Sequence, residues 1–471
     1  MNREHLPIIL RCPSGRQNTY PMEEFVLEQH ELKRDLKNRH VQLIAIGGTI
    51  GTGLFLGSGK AISLAGPSII IAYLIVGIAL FFVMRALGEL LLSKGGYASF
   101  TEFATEYLGD WAGYVTGWTY WFCWIMTAMA DIIAVGMYTQ YWFDIPQWVP
   151  AIACLVVLLI LNLLTVKLFG ELEFWFALIK IITIIALIAI GLVLLIIGFE
   201  TDAGKVAVSN LWEHGGLFPN GAFGFLMAFQ MVVFAFVGVE LVGVAAAETE
   251  NPQKNIPSAI NKIPIRILLF YVGALFVILT INPWDTLSAT SSPFVQVFAL
   301  VGIPIAAGLI NFVVLTSAAS AGNSGMFSTS RMLFSLSKGE QAPKSFGKLN
   351  KNAVPQNGLL FSAIVVSIGA LLSYLMPDDA FSIVTTISAI CFIWVWSIIL
   401  ISHIIYKKRH PDLHAKSIFK APLTPFVNYA VLAFFVFLLI IMAISEATRT
   451  SLMLTPLWFI MLFVLYAFRK K

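Results

Sequence analysis

Two short stretches of this chain have residue types and spacings suited to chemistry inside a bilayer. The first is Gly47-Gly48-Thr49-Ile50-Gly51-Thr52-Gly53, with four glycines in seven positions. That is poor helix material, because each glycine costs about 1 kcal/mol against alanine. The second is Phe234-Ala235-Phe236-Val237-Gly238-Val239-Glu240. A helix interrupted in lipid frees backbone groups at several kcal/mol each unless they line a cavity. The start of a half-helix favours an anion, so Thr52 and Gly53 would offer N–H groups, and Thr52 its hydroxyl, to a carboxylate. Carbonyls freed in the two stretches would accept from an ammonium, which brings Thr49, Ile50, Ala235 and Val237 into the same site, with Phe234 as its cover. One small molecule with both ends is an amino acid. The competing role for these glycines is close helix packing of the GxxxG kind, but they are denser than packing requires.

Three ionisable residues fall inside apolar stretches: Asp131, Lys180 and Glu240. Such residues are costly in a membrane and are functional hypotheses by default. Desolvation makes Lys180 a candidate proton carrier; its alternative is to snorkel to the surface. Glu240, one turn past the second glycine break, either holds loosened backbone N–H groups or carries a proton. Asp131 either lines the substrate path or pairs with another helix. Ser317, Ser320, Asn323 and Ser324 form a stripe at helical spacing that would face Lys180 and the first break, or else hydrogen-bond between helices. Arg85 and Glu89, four residues apart, read as a simple ion pair. His403 and His410 have no metal-ligand partners in sight, and no metal is expected.

The elements that must position these residues are membrane spans. Of 471 residues, 58% are apolar and 12% charged, against roughly 25% charged in soluble proteins. The apolar residues fall in runs of about 20, the length that crosses a bilayer. Twelve spans are expected, at 41–61, 68–91, 111–142, 149–166, 173–198, 221–247, 263–283, 300–330, 357–376, 381–406, 424–445 and 452–468. The third and eighth are long enough to tilt or extend beyond the bilayer. Residues 92–110 and 331–352 read as amphipathic surface helices, and Pro252, Pro257 and Pro264 as breaks in the loop after span six. With the N-terminus inside, the positive charges sort by side. Only Lys60, Lys205 and Arg449 fall outside, which places both termini in the cytoplasm. The first 40 residues carry no signal-peptide pattern. The four cysteines suggest no disulfide framework.

Other function classes fail. The net charge of +4 reflects topogenic lysines and arginines, not a nucleic-acid surface. Gly57-Ser58-Gly59-Lys60 lacks the spacing of a phosphate loop, and no nucleotide-binding domain is present, so ATP is not the energy source. With no zincin motif or nucleophile elbow, an enzyme is not expected.

Residues 41–60, VQLIAIGGTIGTGLFLGSGK, resemble the first helix of the amino acid–polyamine–organocation superfamily, and the chain from about residue 33 onward is similar to its amino acid transporter family. Supporting stretches are SLAGP at 63–67, MRALGE at 84–89, FAFVGVELVGVAAAET at 234–249 and FSTSRMLFSLSKGEQAP at 327–343. TGWTYWFCW at 116–124, TVKLFGELEFWFALIKI at 165–181, INFVVLTSAAS at 310–320 and TPLWFI at 455–460 resemble the branch that carries D-serine, D-alanine and glycine. The resemblance implies an all-α membrane protein with a five-plus-five inverted repeat, helices 1 and 6 discontinuous, and two extra helices. The expected organisation is a tail at 1–40, a transport core at 41–406 and the additional helices at 407–471. It implies proton symport of small zwitterions by alternating access, with the proton as coupling ion and no cofactor. It also implies that Lys180 matches the span-five lysine that occupies the sodium-site region in sodium-independent members. The alternative within the family is a permease or exchanger of another neutral or aromatic amino acid. The implied partners are the substrate and the lipid bilayer; oligomeric state is not readable.

Overall fold

The computed structural model describes residues 50–93, 100–164, 166–241, 251–300 and 304–469. These residues are almost entirely helical, as a chain surrounded by lipid requires. The only strands among them are a two-residue hairpin, β1 (Glu200–Thr201) and β2 (Gly204–Lys205). The helices run in order α1 (Thr52–Phe55), α2 (Gly57–Ala65), α3 (Ile69–Ser93), α4 (Phe100–Leu108), α5 (Asp110–Thr139), α6 (Trp148–Leu164), α7 (Val166–Ile197), α8 (Gly221–Met227) and α9 (Phe229–Ala235). Next come α10 (Pro252–Asn261), α11 (Ile263–Arg266), a π-helical stretch over Ile267–Gly273, α12 (Ala274–Ile281), α13 (Pro293–Leu300) and α14 (Pro304–Lys338). The chain closes with α15 (Gln356–Leu375), α16 (Ala380–Arg409), α17 (Pro411–Lys416), α18 (Phe426–Ile444) and α19 (Glu446–Arg469). Among the described residues, nine helical runs are long and apolar enough to cross a membrane, and α6 and α8–α9 are shorter apolar runs. The run Gly57–Ser93 turns sharply at Gly66-Pro67-Ser68, so it holds the second half of expected span one together with span two.

The core lies along α5, 83% of whose apolar window is buried, against 17% for α19. The most extensive helix contacts join α5 to α14 and α16. Large apolar side chains cover the outside, with Ile305, Phe426 and Ile196 nearly bare. A belt of that extent fits lipid and not water.

Three expectations change. Residues 331–338 do not form a separate amphipathic helix; they continue α14, because nothing between Ala321 and Lys338 breaks the helix. Of residues 92–110, Leu92 and Ser93 end α3, Phe100–Leu108 forms α4 and Asp110 opens α5. The prolines after span six do not break the chain. Pro252 and Pro264 sit in the first turns of α10 and α11, where no N–H partner is needed, and Pro257 is accommodated inside α10. The π-helical stretch over Ile267–Gly273 then leads into α12.

Candidate substrate site

Span six is interrupted around Gly238. α9 stops at Ala235, and Phe236–Glu240 follows as a series of tight turns. Their bonds are of the i→i−3 kind: Phe236 N–H to Val233 O, Val237 N–H to Phe234 O, and Val239 N–H to Phe236 O, at 3.1–3.2 Å. Gly238 has φ +90°, a left-handed conformation that explains the glycine. The freed Ala235 carbonyl accepts the Tyr271 hydroxyl at 3.2 Å, so it is not waiting for a ligand.

Opposite this break, Gly51 is extended and a helix begins at Thr52. Leu54 and Phe55 both donate to Gly51 O at 3.2 Å, whereas the N–H groups of Thr52 and Gly53 have no backbone acceptor among the described residues. A Cβ on Gly53 would stand 2.5 Å from Ala235 Cα. The two segments therefore touch backbone to backbone, and the glycine serves close packing as well as exposing an N–H.

A cavity with about 320 Å³ of atom-free space, part of it open, lies at this crossing. Gly51, Thr52 and Gly53 line it from span one, and Phe234, Ala235 and Val237 from span six. Trp124, Thr127 and Asp131 line it from α5, and Ala321 from α14. Asp131 is 1% exposed. Its Oδ1 accepts the Thr52 hydroxyl at 2.8 Å, and its Oδ2 has no hydrogen-bond partner. Both roles read for Asp131 thus coexist: it pairs with another helix and it faces the cavity. Phe234 meets Phe381 edge to face at 6.2 Å. Thr49 lies outside the described residues. Ile50 is buried beside the cavity rather than in its wall, its carbonyl accepting from Ser317 Oγ at 3.5 Å.

Lys180 and Glu240 do not line the cavity. Lys180 is fully buried in α7, within electrostatic reach of Glu173 and Asp131. Glu173 is also fully buried, and its Oε2 accepts the Ser320 hydroxyl at 2.9 Å. The polar stripe of α14 thus meets span one through Ser317 and α7 through Ser320. Asn323 accepts from Asn162 Nδ2 of α6 at 2.7 Å. Glu240 ends the turn segment rather than lying a turn beyond it, and accepts the Tyr120 hydroxyl at 3.1 Å. That bond ties the break to α5.

The cavity thus has, on one side, N–H groups that meet no backbone acceptor among the described residues and, on the other, a carboxylate oxygen without a partner. The family model described as amino acid permease matches residues 40–471. The chain belongs to the amino acid permease family. It is similar to the uncharacterized transporter YdgF of Bacillus subtilis, 61% identical over 94% of this chain and 97% of that one. It is also similar to the amino-acid permease AapA of the same organism, 60% identical over 94% and 96%. The D-serine/D-alanine/glycine transporter of Escherichia coli K12 is 56% identical over 92% and 93%. This permease is therefore a transporter of amino acids in a membrane and not an enzyme.

The permease also contains a polar cluster that the sequence reading placed wrongly. Arg85 and Glu89 form no ion pair. Glu89, with no exposure, accepts from His414 Nδ1 at 2.6 Å and from Ala421 N–H at 2.7 Å, and meets His403 Nε2 at 3.0 Å. Asn428 closes the other ring nitrogen of His403 at 2.9 Å. Arg85 instead stacks on Phe419 at 3.7 Å and donates to Asn261 Oδ1 at 2.9 Å and to Lys420 O. The cluster fastens α3, α16 and the segment 411–421 together at the end of the bundle that carries Lys407 and Lys408. Histidines close to a carboxylate were visible as types only; their partners lie 314 and 325 positions away.

Proposed function

We propose that this permease takes up small neutral amino acids, D-alanine, D-serine and glycine among them, by proton symport. The observation that carries the reading is one cavity lined by Asp131, whose Oδ2 is vacant, and by Thr52 and Gly53 at the start of α1, whose N–H groups meet no backbone acceptor among the described residues. A zwitterion fits that cavity: its carboxylate takes the N–H end of α1, and its ammonium takes Asp131 in a charge-assisted bond. Trp124 and Phe234 bound the remaining space, which suits a small side chain. The D-serine, D-alanine and glycine for which the Escherichia coli relative is named agree with that size. The reading places the core at 41–406 in a five-plus-five inverted repeat among twelve spans. The helices at 407–471 are additional, residues 1–40 are a tail, and both termini lie on the cytoplasmic side of the plasma membrane. Lys180 and its buried carboxyl neighbours are the coupling centre, and Glu240 holds the break of span six. A neutral substrate moving with one proton carries charge inward, so the membrane potential drives it by about 2.3 kcal/mol per 100 mV.

The test is uptake of labelled glycine, D-alanine, D-serine and L-phenylalanine into proteoliposomes under an imposed inward proton gradient. Gradient-dependent uptake of the first three with L-phenylalanine excluded is expected. Uptake of L-phenylalanine instead would move the permease to another branch, and counterflow without net uptake would make it an exchanger.

A further inference from the structure

Two carboxyl groups and one amine are buried on α5 and α7 within electrostatic reach of one another. Asp131, Glu173 and Lys180 are each at most 1% exposed. Among the described residues, the charged groups that act on Lys180 are Glu173 and Asp131, and the two acids act on each other. Asp131 accepts the Thr52 hydroxyl at 2.8 Å and Glu173 the Ser320 hydroxyl at 2.9 Å, with the Ser324 hydroxyl also bearing on Glu173. Each keeps one oxygen without a donor, Asp131 Oδ2 and Glu173 Oε1. Tyr138 of α5 and Cys154 of α6 also lie within electrostatic reach of Asp131. α12 brings no titratable group. Arg331 of α14 lies eleven positions past Ser320, about 17 Å along the axis.

Charge counting then decides what the cluster can hold. With both acids ionised and the amine protonated, it carries one negative charge in excess. An uncompensated buried charge costs several kcal/mol, and one added proton makes the cluster neutral. A zwitterionic substrate brings no net charge, so it does not alter this balance. We infer that the coupled proton is carried by the Asp131–Glu173 carboxyl pair, with Glu173 as its station on the inner side and Lys180 as the fixed counter-charge. This rests on the symport reading and names the groups it uses. The proton enters when a hydronium on the outer side breaks one O–H bond, leaving water, and a new O–H bond forms on a vacant carboxylate oxygen of the pair. It leaves when the Glu173 O–H breaks and water on the inner side accepts it. Glu173 suits that exit because it lies seven residues before Lys180 on α7. That is about 10 Å nearer the end that the positive-inside pattern assigns to the cytoplasm.

The experiment compares wild type, Glu173→Gln and Glu173→Asp in proteoliposomes with the membrane potential clamped at zero. A labelled mixture of glycine, alanine, serine and phenylalanine is the probe. Accumulation under a gradient of one pH unit and counterflow without a gradient are both read. For one proton per substrate the wild type approaches about tenfold accumulation. Glu173→Gln is expected to fall to about onefold while keeping counterflow within about twofold, because the amide leaves the cluster neutral without a proton. Glu173→Asp is expected to restore most of the accumulation. Undiminished accumulation in Glu173→Gln overturns the inference. So does loss of counterflow in both variants, which assigns Glu173 a structural role. A wild type that exchanges the label but ignores the gradient overturns the symport reading itself, and the inference falls with it.

Discussion

The permease buries carboxylates in two settings that differ in one respect. Glu89 is saturated: two imidazoles and a backbone N–H surround it, and both of its oxygens are engaged. Asp131 is held by the Thr52 hydroxyl and Glu173 by that of Ser320, with the Ser324 hydroxyl also bearing on Glu173, and each acid leaves an oxygen without a hydrogen-bond partner. A buried polar group left unmade costs about 1–3 kcal/mol. Such a vacancy leaves room for a ligand or proton but does not by itself make a site: Glu240, which holds the break of span six, also leaves its Oε2 vacant. The contrast sets a saturated pin against open groups, although Glu89, Asp131 and Glu173 are all acids inside spans.

Removing the pin should have the largest effect. Glu89→Ala strips the partner from His403, His414 and Ala421 N–H at once, and breaking a buried charged network costs about 3–5 kcal/mol. Folded, monodisperse protein on size exclusion should fall steeply, and an unchanged yield and melting temperature would erase the contrast. Next comes the crossing of the two breaks. Gly53→Ala puts a Cβ within 2.5 Å of Ala235 Cα, whereas Gly51→Ala meets only Ala321 Cβ at an ordinary 3.5 Å. Overpacking of this kind costs about 1–3 kcal/mol. Uptake should drop by about tenfold or more in the first variant, while the second keeps a folded permease; equal behaviour of the two would mean that the backbones are not in contact.

The sequence made the two breaks legible because glycine density and the cost of free backbone groups in lipid are local properties. The same locality explains what it missed. Arg85 and Glu89 sit at helical pairing distance, and nothing local reveals that His403 and His414 compete for the acid. Glu173 follows Glu171 near the expected start of a span, where an acid reads as a surface residue; only the packing of α14 against α7 shows it buried. The Thr52–Asp131 bond joins residues 79 apart, so Asp131 could be named from its place in an apolar run but not given a partner. The break of span six placed Glu240 differently from the expectation because the turn segment is longer than one glycine suggests.

Smaller effects sharpen the contrast within the site. Asp131→Asn keeps an acceptor for Thr52 but removes the charge that meets the substrate ammonium. Apparent affinity should weaken by about 10- to 100-fold, since charge-assisted bonds contribute about 1.5–3 kcal/mol. A change under twofold would remove Asp131 from the site. Thr52→Val deletes one buried hydroxyl that orients Asp131, and a loss of about fivefold is expected from about 1 kcal/mol. If Thr52→Val were the more damaging of the two, the hydroxyl and not the carboxylate would be the substrate contact.

The central claim is that the cavity holds both charged ends of one amino acid. Competition against labelled D-alanine uptake by D-alanine, D-alanine amide and N-acetyl-D-alanine tests it most directly. The account predicts that only the unmodified amino acid competes, because the amide loses the partner of the Thr52–Gly53 N–H groups and the acetyl form loses the partner of Asp131. Competition by either blocked compound at the level of D-alanine itself would contradict it.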